Sequence, residues 1–200
     1  MDSTDWERKY VVERPGVECS TYLRNPRIHV RRPHAEDAAA IFEKWAGNPD
    51  DTYYMGWPTH QTLDDTYAFL AFSDEHWHRW GSGPLLVEHI PTGRVIGSSG
   101  LMVDQVGDDG LPETAEGGYI IARGHRGCGY ATEALRATIE AARALGVKRL
   151  CMGIHPRNIA SRKVAHRGGL VLAEIPFSEG VFPQIDPQHP LVTVNYGIEL

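Results

Sequence analysis

Apolar and polar positions first alternate cleanly at 27–32, where Ile28 and Val30 stand between polar neighbours, and this predicts a strand. A helix opens at 33–37, and its apolar positions Ala38, Ile41, Phe42 and Trp45 recur at helical spacing until Gly47, Asn48 and Pro49 stop it. Segment 48–62 reads as a loop rich in aromatics. Thr62 then caps a second helix, with Asp64 and Asp65 in the favourable first turn, ending around 77–80. Strands at 85–88 and 94–103 form a hairpin across 89–93. Segment 104–115, rich in Asp, Gly and Pro, reads as a loop, and 116–123 as a strand. A helical pattern covers 130–145, with Ala134, Leu135, Ile139, Ala142 and Leu145 on one face and Gly146 as its C-cap. A strand at 148–154, a helix at 157–168, a strand at 170–175, a proline-rich loop at 176–190 and a strand at 192–198 complete the chain. The order β-α-α-β-β-β-α-β-α-β-β is a mixed α/β layout. Residues 1–26 show no clean period and read as an N-terminal extension, leaving 27–200 as a single domain.

Charge changes the picture in one respect. The chain has 200 residues, 20 Lys plus Arg and 26 Asp plus Glu, a formal charge of −6. That balance argues against a general nucleic-acid binder, which works by neutralising phosphates. It suits an amine-bearing substrate, and it equally suits solubility alone. No apolar run approaches the roughly 20 residues a membrane helix needs, and the first residues lack the pattern of a secretory signal. Cys19, Cys128 and Cys151 are too few and too scattered for a disulfide framework or a cysteine zinc site. His76 and His78 flank Trp77 without further ligands nearby, so no metal is expected. The expected compartment is the cytoplasm.

The chemistry concentrates in two segments. In the first, Ile121-Ala122-Arg123 run into Gly124-His125-Arg126-Gly127-Cys128-Gly129, which leads directly into Tyr130-Ala131-Thr132-Glu133-Ala134. Gly127 and Gly129 allow a bend and a close backbone approach to a ligand. The helix start beyond them offers unpaired N–H groups and a positive dipole end, together an anion site. A tight strand-to-helix connection with no ligand would use the same glycines. The phosphate loop of nucleoside triphosphatases is excluded, because Tyr130-Ala131 stand where Lys-Ser/Thr is required; Thr132 likewise replaces the third Gly of the dinucleotide fingerprint. In the second segment Asn158 and Ser161 lie three apart on one helix face. Asn158 also fits a plain N-cap.

The two segments together resemble the GNAT superfamily of acetyl-CoA-dependent N-acetyltransferases. Gly127-Cys128-Gly129-Tyr130-Ala131-Thr132-Glu133-Ala134 is similar to its GxGYATEA turn, and Asn158-Ile159-Ala160-Ser161 through Gly169-Leu170 to its NxAS…GF segment. The branch most resembled is the ribosomal-protein N-terminal acetyltransferase type. Three positions depart from the pattern: Gly124 where Gln or Arg is usual, Leu170 where Phe is usual, and Ala165 where many members carry a proton-donating Tyr.

The resemblance implies a mostly antiparallel central sheet with helices on both faces. It implies acetyl transfer from acetyl-CoA to a primary amine, either a protein N-terminus or a small molecule. With the tyrosine missing, a non-catalytic acyl-CoA-binding module of the same fold is the alternative. Ile121, Ala122, Arg123, Arg126, Gly127, Cys128, Gly129, Tyr130, Ala131, Thr132, Asn158 and Ser161 would hold the co-substrate. A backbone N–H near Ile121 would receive the thioester carbonyl. Glu116 would take the amine proton and Ser161 would return one to the thiolate. Glu116 equally fits an exposed strand-end charge. Tyr54 and Trp57 would face the acceptor, the other aromatics being core. A homodimer, with the 1–26 extension as a candidate for joining it, completes the expectations.

Overall fold

The computed structural model describes residues 27–108 and 110–200, together with two short paired strands, β1 (Val12–Arg14) and β2 (Val17–Cys19). The rest of the 1–26 extension lies outside the described residues, and so does any role for it in dimerisation. From residue 28 onward one seven-stranded sheet runs through the structure. Its strands are β3 (Ile28–Arg31), β4 (Pro84–His89), β5 (Arg94–Val106), β6 (Pro112–Ile121), β7 (Arg149–Ile154), β8 (Val171–Phe182) and β9 (Asp186–Glu199), in the spatial order β3-β4-β5-β6-β7-β9-β8. Every neighbouring pair is antiparallel except β6 and β7, as the expected fold class requires.

That one parallel pair decides the architecture. It holds for three residue pairs only, Thr114 with Arg149, Ala115 with Leu150 and Glu116 with Cys151. β6 continues to Ile121, paired to β5 as far as Gly97, while β7 continues to Ile154, paired to β9. Beyond 116 and 151 the two strands part, and a wedge opens between their C-terminal ends.

Helices cover both faces. α4 (Tyr130–Ala144) and α5 (Ile159–Gly168) lie on one. The α4 face foreseen from the periodicity is fully enclosed: Ala134, Leu135 and Ala142 have no exposure and pack with Leu150, Ile154 and Ile121. The other face carries α1 (Ala38–Ile41), continued by a wider turn through Ala46, and α3 (Leu63–Trp80). There Ala38, Ile41, Trp45 and Leu70 pack on Leu86, Ile120 and Ala122. Asp65 closes the start of α3 by accepting from the Thr62 and Gln61 amides at 2.9 and 2.8 Å.

Three segments read as loops are more ordered than composition suggests. In 48–62, Asn48 accepts from the Asp50 amide at 3.0 Å and starts the short helix α2 (Pro49–Thr52). Segment 104–115 is mostly strand, because β5 and β6 extend their ladder past irregularities at Val103 and Gln105, leaving 107–111 as the connection. Segment 176–190 is the greater part of the β8–β9 hairpin, with its turn at 183–185. Pro176 falls on the edge strand β8 where the ladder slips between Leu172 and Phe177, Pro183 lies in the turn, and Pro187 and Pro190 fall where β9 slips between its Asp186 and Leu191 pairings, short of Val194 where its pairing to β7 begins. Tertiary pairing overrides turn chemistry in all three.

Candidate active site

The wedge between β6 and β7 opens into one cleft of about 2090 Å³. The Gly-rich turn lies at its mouth. Gly127 and Gly129 have φ of 80° and 87°, the left-handed region that glycine adopts without strain. Among the described residues, the amides of 127–131 donate to no acceptor; the first amide to find one is that of Thr132, bonded to the Gly129 carbonyl at 3.0 Å. Five unspent N–H groups at the N-terminus of a four-turn helix form a cradle for a doubly charged anion. A Cβ at Gly127 would meet nothing within 4 Å, so that glycine serves no packing need. The groups present fit a pyrophosphate.

The turn is braced from two sides. Arg27 bonds Glu133 through Nε at 2.7 Å, gives Nη2 to the Cys128 carbonyl at 2.8 Å, and lies 4.8 Å from the centre of the Tyr130 ring. Arg126 gives Nε to the Ile121 carbonyl at 2.8 Å and Nη2 to Asp51 at 2.7 Å. The Asp51 side chain is only 2% exposed, so this pair ties α2 to the turn. Arg123 pairs with Asp50 at 2.8 Å in solvent. Both arginines expected at the co-substrate therefore already carry carboxylate partners. Ile121 and Ala122 have buried side chains, so only their backbone can serve a ligand. Ala131 and Thr132 lie in the first turn of α4, and the exposed Cys128 thiol points back to the Arg126 carbonyl at 3.7 Å.

Strand alternation divides the remaining groups. Ala122 donates to Ile96 at 2.9 Å, so 116, 118 and 120 address β5 while the backbone groups of 117, 119 and 121 face the wedge. The open edge thus presents the Ile121 N–H where a thioester carbonyl was expected. The Tyr119 side chain rises toward α5, where its hydroxyl meets Ser161 Oγ at 2.8 Å and the Ser161 carbonyl at 3.1 Å. Burial pushes the Tyr119 phenol up to about 12, against the opposing effect of the Ser161 bond. Tyr119 was missed in the sequence because an alternating strand position carries no mark of what it will touch. Asn158 Oδ1 accepts from the Ser161 amide at 3.1 Å, so the N-cap reading of Asn158 holds.

Glu116 faces the other way, onto the α1–α3 side of the sheet, with Cys151 beside it in register. It lines the cleft, and desolvation by the surrounding walls, reinforced by Asp104, raises its carboxyl above the usual range. Glu116 and Ser161 are thus not brought together: they sit on opposite faces with the wedge between them. On the Glu116 side, Trp57 packs against the α1–α3 core, and its carbonyl accepts from Gln184 at 2.8 Å. That bond closes segment 48–62 onto the β8–β9 turn. Tyr54 stacks on His155 at 5.1 Å, and His155 meets Phe182 edge-on at 5.1 Å. The His155 Nδ1 accepts from the Arg157 amide at 3.2 Å, and desolvation, then Arg157, lowers its pKa. This ring is a neutral wall. Among the described residues no group of three or more His, Cys, Asp or Glu is arranged to hold a metal, and no helix is long and apolar enough to cross a membrane.

This geometry agrees with what the chain resembles. A family model described as an acetyltransferase (GNAT) domain matches residues 27–171. The chain belongs to the GNAT acetyltransferase family. It is 29% identical over 158 residues to the uncharacterized protein YkkB of Bacillus subtilis (strain 168), covering 77% of this chain and 87% of that one. The crystal structure of an acetyltransferase from Agrobacterium tumefaciens str. C58 superposes with a TM-score of 0.66 at 28% identity, over 89% of this chain and 94% of that one. The microcin C7 self-immunity acetyltransferase MccE, solved with acetyl-CoA and AMP, superposes with a TM-score of 0.73 at 19% identity, over 88% and 94%.

Proposed function

We propose that this chain transfers an acetyl group from acetyl-CoA to a primary amine. The observation that carries the reading is the row of five unspent amides at 127–131, opening onto the only parallel strand pair of the sheet at the point where it parts. The acetyl-CoA bound by the related MccE supports the choice of co-substrate. The loop motif supports a place in the ribosomal-protein N-terminal acetyltransferase branch.

Acetyl-CoA supplies an activated acyl carbon and a thiolate leaving group. The amides of 127–131 hold its pyrophosphate, and the Ile121 N–H polarises the acyl oxygen. Glu116, on the acceptor face and five strand residues from Ile121, takes through a water relay the proton that the ammonium must lose before nitrogen can attack. On the opposite face the Tyr119–Ser161 pair holds a hydroxyl proton at the wedge, standing in for the tyrosine that Ala165 lacks. A base for the ammonium proton and a donor for the departing thiolate match a reaction in which nitrogen adds to the acyl carbon and the tetrahedral intermediate then collapses with cleavage of its C–S bond. Much of the acceleration comes from holding both reactants in one cleft.

Calorimetric titration of acetyl-CoA, followed by release of free thiol over a panel of amines, tests the reading. Saturable binding and amine-dependent thiol release are expected. Binding with no release from any amine would leave the non-catalytic acyl-CoA-binding reading, which Ala165 favours; no binding would remove both.

A further inference from the structure

Glu116 stands where the wedge begins, and the Ile121 N–H stands where it is open, five strand residues or roughly 16 Å further on. The attacking nitrogen adds to an acyl carbon that stays bonded to the oxygen held by Ile121, so attack takes place at the Ile121 level. Another side chain of the acceptor face occupies that level. Continued along both strands, the register that pairs Glu116 with Cys151 brings Ile120 level with His155, the first residue past the end of β7. Cys151, Gly153 and His155 alternate onto one face. The ring contacts of His155 agree with that placement: Tyr54 of segment 48–62 stacks on it and Phe182 meets it edge-on.

The Arg157 amide donates to His155 Nδ1 at 3.2 Å. A ring nitrogen that accepts carries no proton, so the proton of the neutral imidazole sits on Nε2. Desolvation and Arg157 favour that neutral form. Among the described residues Nε2–H has no hydrogen-bond partner, and it is not a buried orphan, so it is an unspent donor on the wall of the cleft. Donor character decides what it can hold. It cannot take the amine's proton, and it cannot bond the N–H groups of an ammonium; it needs an oxygen. Neighbouring polar groups are already engaged, Arg126 with Asp51 and Asn158 with the Ser161 amide. Standing level with the point of attack, the ring meets the first atoms of the acceptor beyond its nitrogen rather than its far end.

We infer that His155 selects the acceptor: its Nε2–H donates to a carbonyl oxygen on the carbon next to the one that bears the amine, as in an α-amino amide. The Tyr54 and Phe182 rings fix the plane of the imidazole and the Arg157 amide fixes its tautomer, so the donor is in place before the acceptor arrives. The inference rests on the acetyl-transfer reading and adds to it a specificity-determining residue and the acceptor class it favours.

The test measures thiol release from acetyl-CoA for two series of primary amines, the α-amino amides of glycine, alanine and valine and alkylamines of matching branching. The ratio of kcat/KM between the series is compared across variants, so that their different basicity cancels. His155→Phe keeps a ring against Tyr54 and Phe182 and removes the donor. It should lower the amide-to-alkylamine ratio about three- to tenfold, the worth of one neutral hydrogen bond, while the KM for acetyl-CoA stays within twofold and the melting temperature is unchanged. His155→Gln returns an N–H donor without a ring and should recover most of the ratio; a ring that served packing alone would be replaced by Phe and not by Gln. Binding of the amides is also read by calorimetry in the presence of CoA, which cannot transfer. Amide binding weakened in His155→Phe, with no turnover in the wild type, would keep the contact and remove acetyl transfer. Turnover whose ratio is the same in wild type and His155→Phe would overturn the contact and keep acetyl transfer, as would an equal loss in both series, which would assign the ring to the relay water. Amides neither bound nor acetylated by the wild type would overturn it as well.

Discussion

Replacing Gly127 by valine separates the phosphate cradle from a mere tight turn. At φ 80° a branched L-residue is strained by about 1–2 kcal/mol. A Cβ there meets no atom within 4 Å, so no clash adds to that strain. For a chain of this size 1 kcal/mol lowers the melting temperature by about 2–4 °C. The fold should therefore survive with a drop of roughly 2–8 °C. The loss in binding should be far larger. The valine methyls occupy the space above the amides of 127–131, and a hydrogen bond to a charged group is worth about 1.5–3 kcal/mol. Losing even one such bond weakens acetyl-CoA by about 10- to 150-fold. Calorimetric titration reads the affinity and a thermal melt reads the fold. Gly127→Asn, which tolerates the left-handed conformation, should recover the melting temperature but not the affinity. Gly124→Ala should change neither, since Gly124 has no left-handed conformation and no neighbour within 4 Å of its Cβ. An affinity for Gly127→Val within threefold of the wild type would refute the cradle.

Other perturbations probe the bracing and the chemistry. Asp51→Asn removes the buried partner of Arg126 and should cost about 1–3 kcal/mol, lowering the melting temperature by several degrees; an unchanged melt would mean that α2 is not held through this pair. Arg27→Ala should weaken acetyl-CoA several-fold by releasing the Cys128 carbonyl and Glu133, with little change in stability because the pair is solvent-exposed. Glu116 accepts a proton only when ionised, so the rate should rise with pH through a pKa above the ordinary carboxylate value; Glu116→Gln should abolish that limb, and an identical profile in the variant would exclude Glu116 as the base. Tyr119→Phe should lower kcat more than the KM for acetyl-CoA, and an effect confined to KM would assign Tyr119 to holding α5 alone.

Much of this molecule can be read from local pattern. The α4 face came directly from the spacing of Ala134, Leu135, Ile139, Ala142 and Leu145, because a helix buries a stripe whose period is written in the chain. Gly127 and Gly129 announced a bend, and the structure makes it left-handed, a conformation that glycine adopts without strain. Thr62 and Asp65 marked a helix start, and Asn158 capped the helix its position predicted. These features depend on neighbours within a few residues.

What the tertiary structure decided depends on partners far along the chain. The β8–β9 hairpin runs through prolines that locally favour a loop, because residues on either side of them, Phe182 with Asp186 and Gly180 with Leu191, find strand partners. Arg123 and Arg126, placed by sequence at the co-substrate, found Asp50 and Asp51 some 75 residues away. The Tyr119–Ser161 pair spans 42 residues and leaves no trace in either segment alone. The wedge exists only because β6 and β7 pair for three residues and then turn to different neighbours, and that is fixed by strand order. Sequence determined which residues could bend, cap or bury; the register between distant strands determined which of them face one another across the cleft.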